Sequence, residues 1–253
     1  MEVHAHTHTA ADPDPSTSSG HRGRKRWIHY LFEFLMLFLA VFCGFLAENF
    51  REHRVEKERA KVLAQSLLED LKKDTIALHS GIILSDRKIN AADDILMMMH
   101  NSREQIRDTA FYKDMVAIIS SSPFIPTDGT YTQMKASGAL RYFDQSLVNL
   151  MNAYDVQLKK SKFRDEVEDR GTWVLADLNF NIMNLEVVSD IRFNKPITHK
   201  MYIKINDDAT SDKFINLVVT NKIFRTRTLQ EYRVQLKIAE TLMEELKKEY
   251  HLK

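Results

Sequence analysis

Three histidines at alternate positions, His4, His6 and His8 in "HAHTH", are the residues of this chain whose type and spacing come nearest to metal chemistry. Neutral imidazole nitrogen suits Zn, Ni or Cu, and alternate residues of an extended segment can share one ion. No Cys, Asp or Glu at a matched spacing completes a structural site. The expectation is therefore a solvated tail, with metal handling by the His tract as a secondary reading and no cofactor implied. Ser85 and Lys88 form the SxxK spacing of Ser-Lys hydrolases. Their partner motifs are missing, and two such common residues meet at this spacing by chance.

A second kind of chemistry sits in the run "YLFEFLMLFLAVFCGFLAENFREHR", where Glu33 interrupts an apolar stretch and Glu48 with Asn49 closes it. A carboxylate inside hydrocarbon costs a few kcal/mol on insertion scales, so its depth decides its meaning. Glu33 either lies at headgroup level near His29, is protonated, or pairs with a polar group on a partner span. Glu48 and Asn49 mark the exit into water.

The chain otherwise holds no phosphate-binding Gly-rich loop, no GxGxxG, no HExxH and no GxSxG. With no convergent acid, base and nucleophile, it is not expected to be an enzyme. Its 253 residues include 36 Lys and Arg against 35 Asp and Glu, which gives no basic face for nucleic acid. The single cysteine, Cys43, lies in the apolar run, so no intramolecular disulfide is possible.

These residues must be positioned by helices. Only seven Gly and five Pro occur, leaving long stretches free of helix breakers, and the fold class is all-α. Trp27 to Ala47 is apolar on every face, and 21 residues at about 1.5 Å each reach roughly the 30 Å of a bilayer core. Phe42 or Phe45 would occupy the small positions that a signal peptidase needs, so the helix is expected to stay as an uncleaved anchor. Arg22, Arg24, Lys25 and Arg26 crowd its N-terminal edge, whereas Arg51, Arg54, Lys57, Arg59 and Lys61 are diluted by four Glu. That density places the N-terminus in the cytoplasm and the C-terminal part outside.

The expected organisation is a disordered tail over 1–26, a transmembrane helix over 27–50 and a helical domain over 51–253, with loops near 121–130 and 193–210. The span is expected to run on as a helix to about Leu78, carrying Leu63, Leu67 and Leu71 on one side, until Gly81 kinks or ends it. A shorter helix follows over about 104–120, leading into the loop signal "SSSPFIPTDG". Ser137 and Gly138 read as a helix stop, Gly138 supplying the left-handed backbone. One long helix is expected from Ser146 to about Asp190, with Val167 and Val174 facing inward, Trp173 packed and Gly171 costing about 1 kcal/mol. Met201, Ile203 and Ile205 alternate as in a short strand within a loop. Thr210 or Ser211 should cap the last helix. Its residues Leu229, Tyr232, Leu236, Ala239, Met243, Leu246 and Tyr250 step by three and four, the spacing of a coiled-coil seam that meets either the chain's own first helix or another copy.

The run "HYLFEFLMLFLAVFCGFLAENFREHR", with "LLEDLKKD" and "YTQMKASGALRYFDQSLVNLMNAYD", resembles a family of single-span membrane proteins common in Bacteroidota. The matching features are Glu33 early in the span, Asn49 with Phe50 at its exit, the helix from Leu67 to Asp74, and the break at Ser137 and Gly138. The resemblance covers most of residues 27–160 and implies a bitopic inner-membrane protein with a helical domain, without established activity. The functional expectation is an envelope scaffold that binds another protein or itself. The alternative is a ligand-sensing bundle that signals through a partner.

Overall fold

The computed structural model of the chain describes residues 22–101 and 108–253. The histidine tail, with His4, His6 and His8, lies outside the described residues, as does the start of the helix expected over 104–120. Among the described residues, all regular structure is helical: α1 (Arg22–Asn101), α2 (Thr109–Ile118), α3 (Gly129–Ser137), a short 3-10 turn (Ala139–Tyr142), α4 (Gln145–Ile182), α5 (Leu185–Arg192) and α6 (Asp208–Tyr250). The chain divides into two compact units, Met1–Glu56 and Lys57–Lys253.

In the first unit, α1 contains the one segment among the described residues that is long and apolar enough to cross a membrane, and none of its most apolar stretch is buried. Phe34, Phe38 and Phe42 recur every four residues and stack along one side of the helix. With Leu35, Leu37, Leu39 and Val41 exposed between them, the surface is apolar all round. Water would charge such a surface heavily; lipid does not.

In the second unit, three long helices carry the core. α6 runs antiparallel to both α1 and α4: Lys222 meets Asp93 and Arg233 meets Asp86 on α1, while Asn221 meets Thr172 and Tyr232 meets Asp165 on α4. At one end Ala60, Ala64, Leu67 and Leu71 pack with Met134, Met151 and Leu246. At the other, Ile95, Phe111, Met115, Leu175, Phe214 and Val218 close the core around α2 and α5. The C-terminal seam is satisfied within the chain, since Leu229, Tyr232, Ala239 and Leu246 are buried and Leu236, Met243 and Tyr250 pack at the margin of the same clusters.

Five local expectations need correction. α1 passes through Gly81 unbroken, because the missing side chain makes room for a neighbour: a Cβ there would lie 3.0 Å from Tyr232 Cε2. The single helix expected over 146–190 is two. Extended backbone at Met183 and Asn184 interrupts it, Asn184 Oδ1 accepts the Glu186 N–H to start α5, and Met183 forms a β-bridge with Ile203. That bridge is all that appears of the expected strand. α6 is capped by Asp207, whose carboxylate accepts from Thr210 N–H and Thr210 Oγ1, rather than by Thr210 or Ser211. Val174 is 53% exposed and Trp173, which was expected to pack, is 64% exposed. Gly138 takes φ 68° at the end of α3, as a left-handed stop requires, with its N–H on the Lys135 and Met134 carbonyls.

Candidate functional site

The segment between α2 and α3 has no regular structure of its own, and the bundle holds it by side chains from three helices. Phe124 is buried, and its N–H is shared between Asp165 Oδ2 on α4 at 3.2 Å and Tyr232 Oη on α6 at 3.0 Å. Tyr232 in turn donates to Asp165 Oδ1 at 2.5 Å. A second tyrosine and aspartate repeat the device: Asp74 on α1 accepts the Thr127 N–H at 2.7 Å through one oxygen and the Tyr154 hydroxyl at 2.6 Å through the other. Asp70, one helical turn earlier, accepts from Thr130 N–H and Thr130 Oγ1. Lys88 donates to the Ser120 carbonyl and to Ser122 Oγ. A segment rich in Ser and Pro forms no helical ladder, so buried carboxylates and a lysine take up its backbone groups instead.

Next to this lock, Arg225 bridges α6 to both other helices, ion-paired to Glu168 on α4 and donating to Ser85 Oγ on α1 at 3.2 Å. Ser85 itself donates to the Gly81 carbonyl. The SxxK residues are thus both buried and each engaged elsewhere, Ser85 with Gly81 and Arg225, Lys88 with the loop. Burial, reinforced by the Arg225 charge, pulls the Lys88 ammonium down to about 7, against the opposing pull of Asp165 and Asp169. Burial likewise raises the Asp165 carboxyl, although Tyr232, the Phe124 N–H, Arg225 and Lys88 all favour its ionised form. Tyr154 and Tyr232 are pushed up by burial and by the carboxylate each one faces. They remain neutral donors at any physiological pH.

Beside the lock a cleft of about 500 Å³ opens between α4, α5 and residues 119–121. Thr172, Ala176 and Asn179, at i, i+4 and i+7 on α4, are buried beneath it. Trp173 and Phe180, also seven apart, stand exposed along it, and Leu185 and Val188 line it from α5. Asp169 and Arg192 add one charge of each sign. Asn179 is 1% exposed, and neither its side-chain nitrogen nor its oxygen has a hydrogen-bond partner. Nothing in the sequence singles out Asn179; the available signal was an amide in register with the apolar positions of α4.

The residues read from sequence distribute as follows. Glu33 is exposed on the apolar segment, beside a shallow hollow lined by His29, Tyr30 and Leu37. Glu48 accepts from Arg51 one turn later, at 3.0 and 2.5 Å, and Asn49 is exposed. That local ion pair suits a helix entering water. Ser137 Oγ donates back to the Gln133 carbonyl, so Ser137 and Gly138 together end α3. Among the described residues, no group of three or more His, Cys, Asp or Glu could hold a metal ion. No family model, curated protein or solved structure matches the chain, so the likeness to the Bacteroidota family rests on the quoted residues alone, and what is established is an all-helical protein with one long apolar helix suited to a membrane.

Proposed function

We propose that this chain is a non-enzymatic interaction module of the cell envelope. Its single anchor lies in the inner membrane, its N-terminus in the cytoplasm and its helical unit in the periplasm. The observation that carries the interaction reading is a row of exposed apolar side chains on α4: Val156, Phe163 and Val174, each more than half exposed on one side of the helix. Such a row, on a helix whose opposite face is already buried in the bundle, supports a surface that meets another protein. The partner is a second copy or another envelope protein. The lock around Phe124 supports the reading by fixing the shape of the unit that presents this row.

Two measurements test it. A photo-cross-linking residue at Phe163, introduced in intact cells, is expected to give a discrete adduct of higher mass. A chain that gives no adduct and stays monomeric in mild detergent would overturn the interaction reading. For orientation, Cys43→Ser with Lys253→Cys gives a single thiol at the C-terminus. A membrane-impermeant maleimide is expected to label it in intact cells. Labelling only after lysis reverses the sidedness.

A further inference from the structure

We infer that the cleft between α4, α5 and residues 119–121 binds a free α-amino acid with a large apolar side chain, its ammonium at Asp169 and its carboxylate at Arg192. The starting point is the pair of charges. Among the described residues, Arg192 meets no carboxylate within ion-pair distance; its exposed guanidinium donates to Ser120 Oγ at 3.4 Å, which places it at the rim. Asp169, partly exposed on α4, likewise has no cation within ion-pair distance among the described residues. Both stand at one end of the cleft. Ser120 meets Arg192 through its hydroxyl and Lys88 through its carbonyl, and Asp169 is close enough to Lys88 for its charge to favour that ammonium.

The other end is apolar. Leu185 lies seven residues before Arg192 on α5 and Phe180 eleven residues after Asp169 on α4, so about 10–16 Å of helix separate the two ends at 1.5 Å per residue. Ala176 and Val188 line the cleft between them. Opposite charges at one end are complemented by a zwitterion, and the apolar wall that leads away from them by an apolar side chain. A free amino acid joins the two in one small molecule. Trp173 sits one turn after Asp169 on α4 and is 64% exposed, so an ammonium paired with Asp169 can also rest on the indole face. A guanidinium takes a carboxylate through two parallel N–H bonds. The volume of about 500 Å³ lies within the range of small-molecule sites.

The chain contains two tryptophans, so Trp27→Phe leaves Trp173 as the sole reporter in the otherwise full-length protein in detergent. L-Phenylalanine is expected to change the Trp173 emission saturably. Three analogues each remove one feature: phenethylamine lacks the carboxylate, 3-phenylpropionate lacks the ammonium, and glycine lacks the side chain. Each should bind at least tenfold more weakly than L-phenylalanine. This comparison uses one protein throughout and does not depend on how a further variant folds. Arg192→Gln and Asp169→Asn should each weaken L-phenylalanine by at least tenfold. The proposal is overturned if L-phenylalanine gives no saturable signal, which would leave both charges to solvent. It is equally overturned if any of the three analogues matches L-phenylalanine, or if either charge variant binds it as the parent does.

Discussion

Lys88 contributes a pH dependence to the stability of the helical unit above neutrality. Its ammonium titrates at about 7 in the fold, against about 10.4 for an unfolded lysine. Between those values the unfolded chain binds more protons than the folded one, so stability rises as pH goes from about 7 to 10. Below about 7 the penalty of holding a buried charge is fully present. Urea midpoints across this range are expected to climb for the parent, and the climb should flatten in Lys88→Met; an equal slope in both proteins would move the cause elsewhere. Tyr232→Phe removes the hydroxyl shared by Asp165 and the Phe124 N–H. It should cost about 1–3 kcal/mol, because a buried carboxylate and amide lose a partner together. A double-mutant cycle with Asp165→Asn should show coupling of about 0.5–3 kcal/mol. At this scale the sequence was least legible. Ser85 and Lys88 were visible as a spacing, but their environment is set by Arg225, Asp165 and Ser120, which lie far along the chain and have no local signal.

Helices are where local rules and packing compete. Gly171 was expected to cost α4 about 1 kcal/mol relative to Ala. In the fold a Cβ at that position would lie 2.8 Å from the Phe224 ring, so the glycine permits α6 to approach. Gly171→Ala is therefore expected to lower the melting temperature despite the better helix propensity, by a net of about 1–2 kcal/mol from overpacking. Phe224→Leu in the same chain should recover part of the loss. A gain in stability from Gly171→Ala alone would show that Phe224 yields without strain. Asp207→Ala, which removes the cap of α6, should cost about 0.5–2 kcal/mol in urea unfolding. The all-α class, the stop at Gly138 and the apolar periodicity of α1 and α6 were readable because each depends on residues a turn apart. The interruption at Met183 was not. It is imposed by Ile203 and by Tyr112, whose buried hydroxyl donates to the Tyr202 carbonyl and accepts the Asn184 and Tyr202 N–H groups. Trp173 and Val174 misled for the opposite reason: an apolar residue in helical register carries no mark of whether its neighbour exists.

At the scale of the whole molecule, the exposed apolar segment of α1 and the helical unit suit different solvents. The full chain is expected to stay with membranes through alkaline carbonate extraction, while a chain of residues 57–253 alone should enter the supernatant; release of the full chain would show that the apolar part of α1 does not span. The long apolar segment of α1 was legible from length and composition, the features on which hydrocarbon selects. The lock around the loop has a consequence in time. Phe124 and Thr127 are held by Asp74, Tyr154, Asp165 and Tyr232, and Tyr232 lies 108 residues beyond Phe124. A chain emerging from the ribosome passes through α1, α4 and both aspartates before the last tyrosine that fastens the loop exists. Until then the stretch "SSSPFIPTDG" lacks one of its buried partners. Chains that stop before Tyr232 should therefore be cut within 119–128 by a protease of broad specificity faster than a chain that continues through Lys253, and equal rates would show that the loop is held without α6.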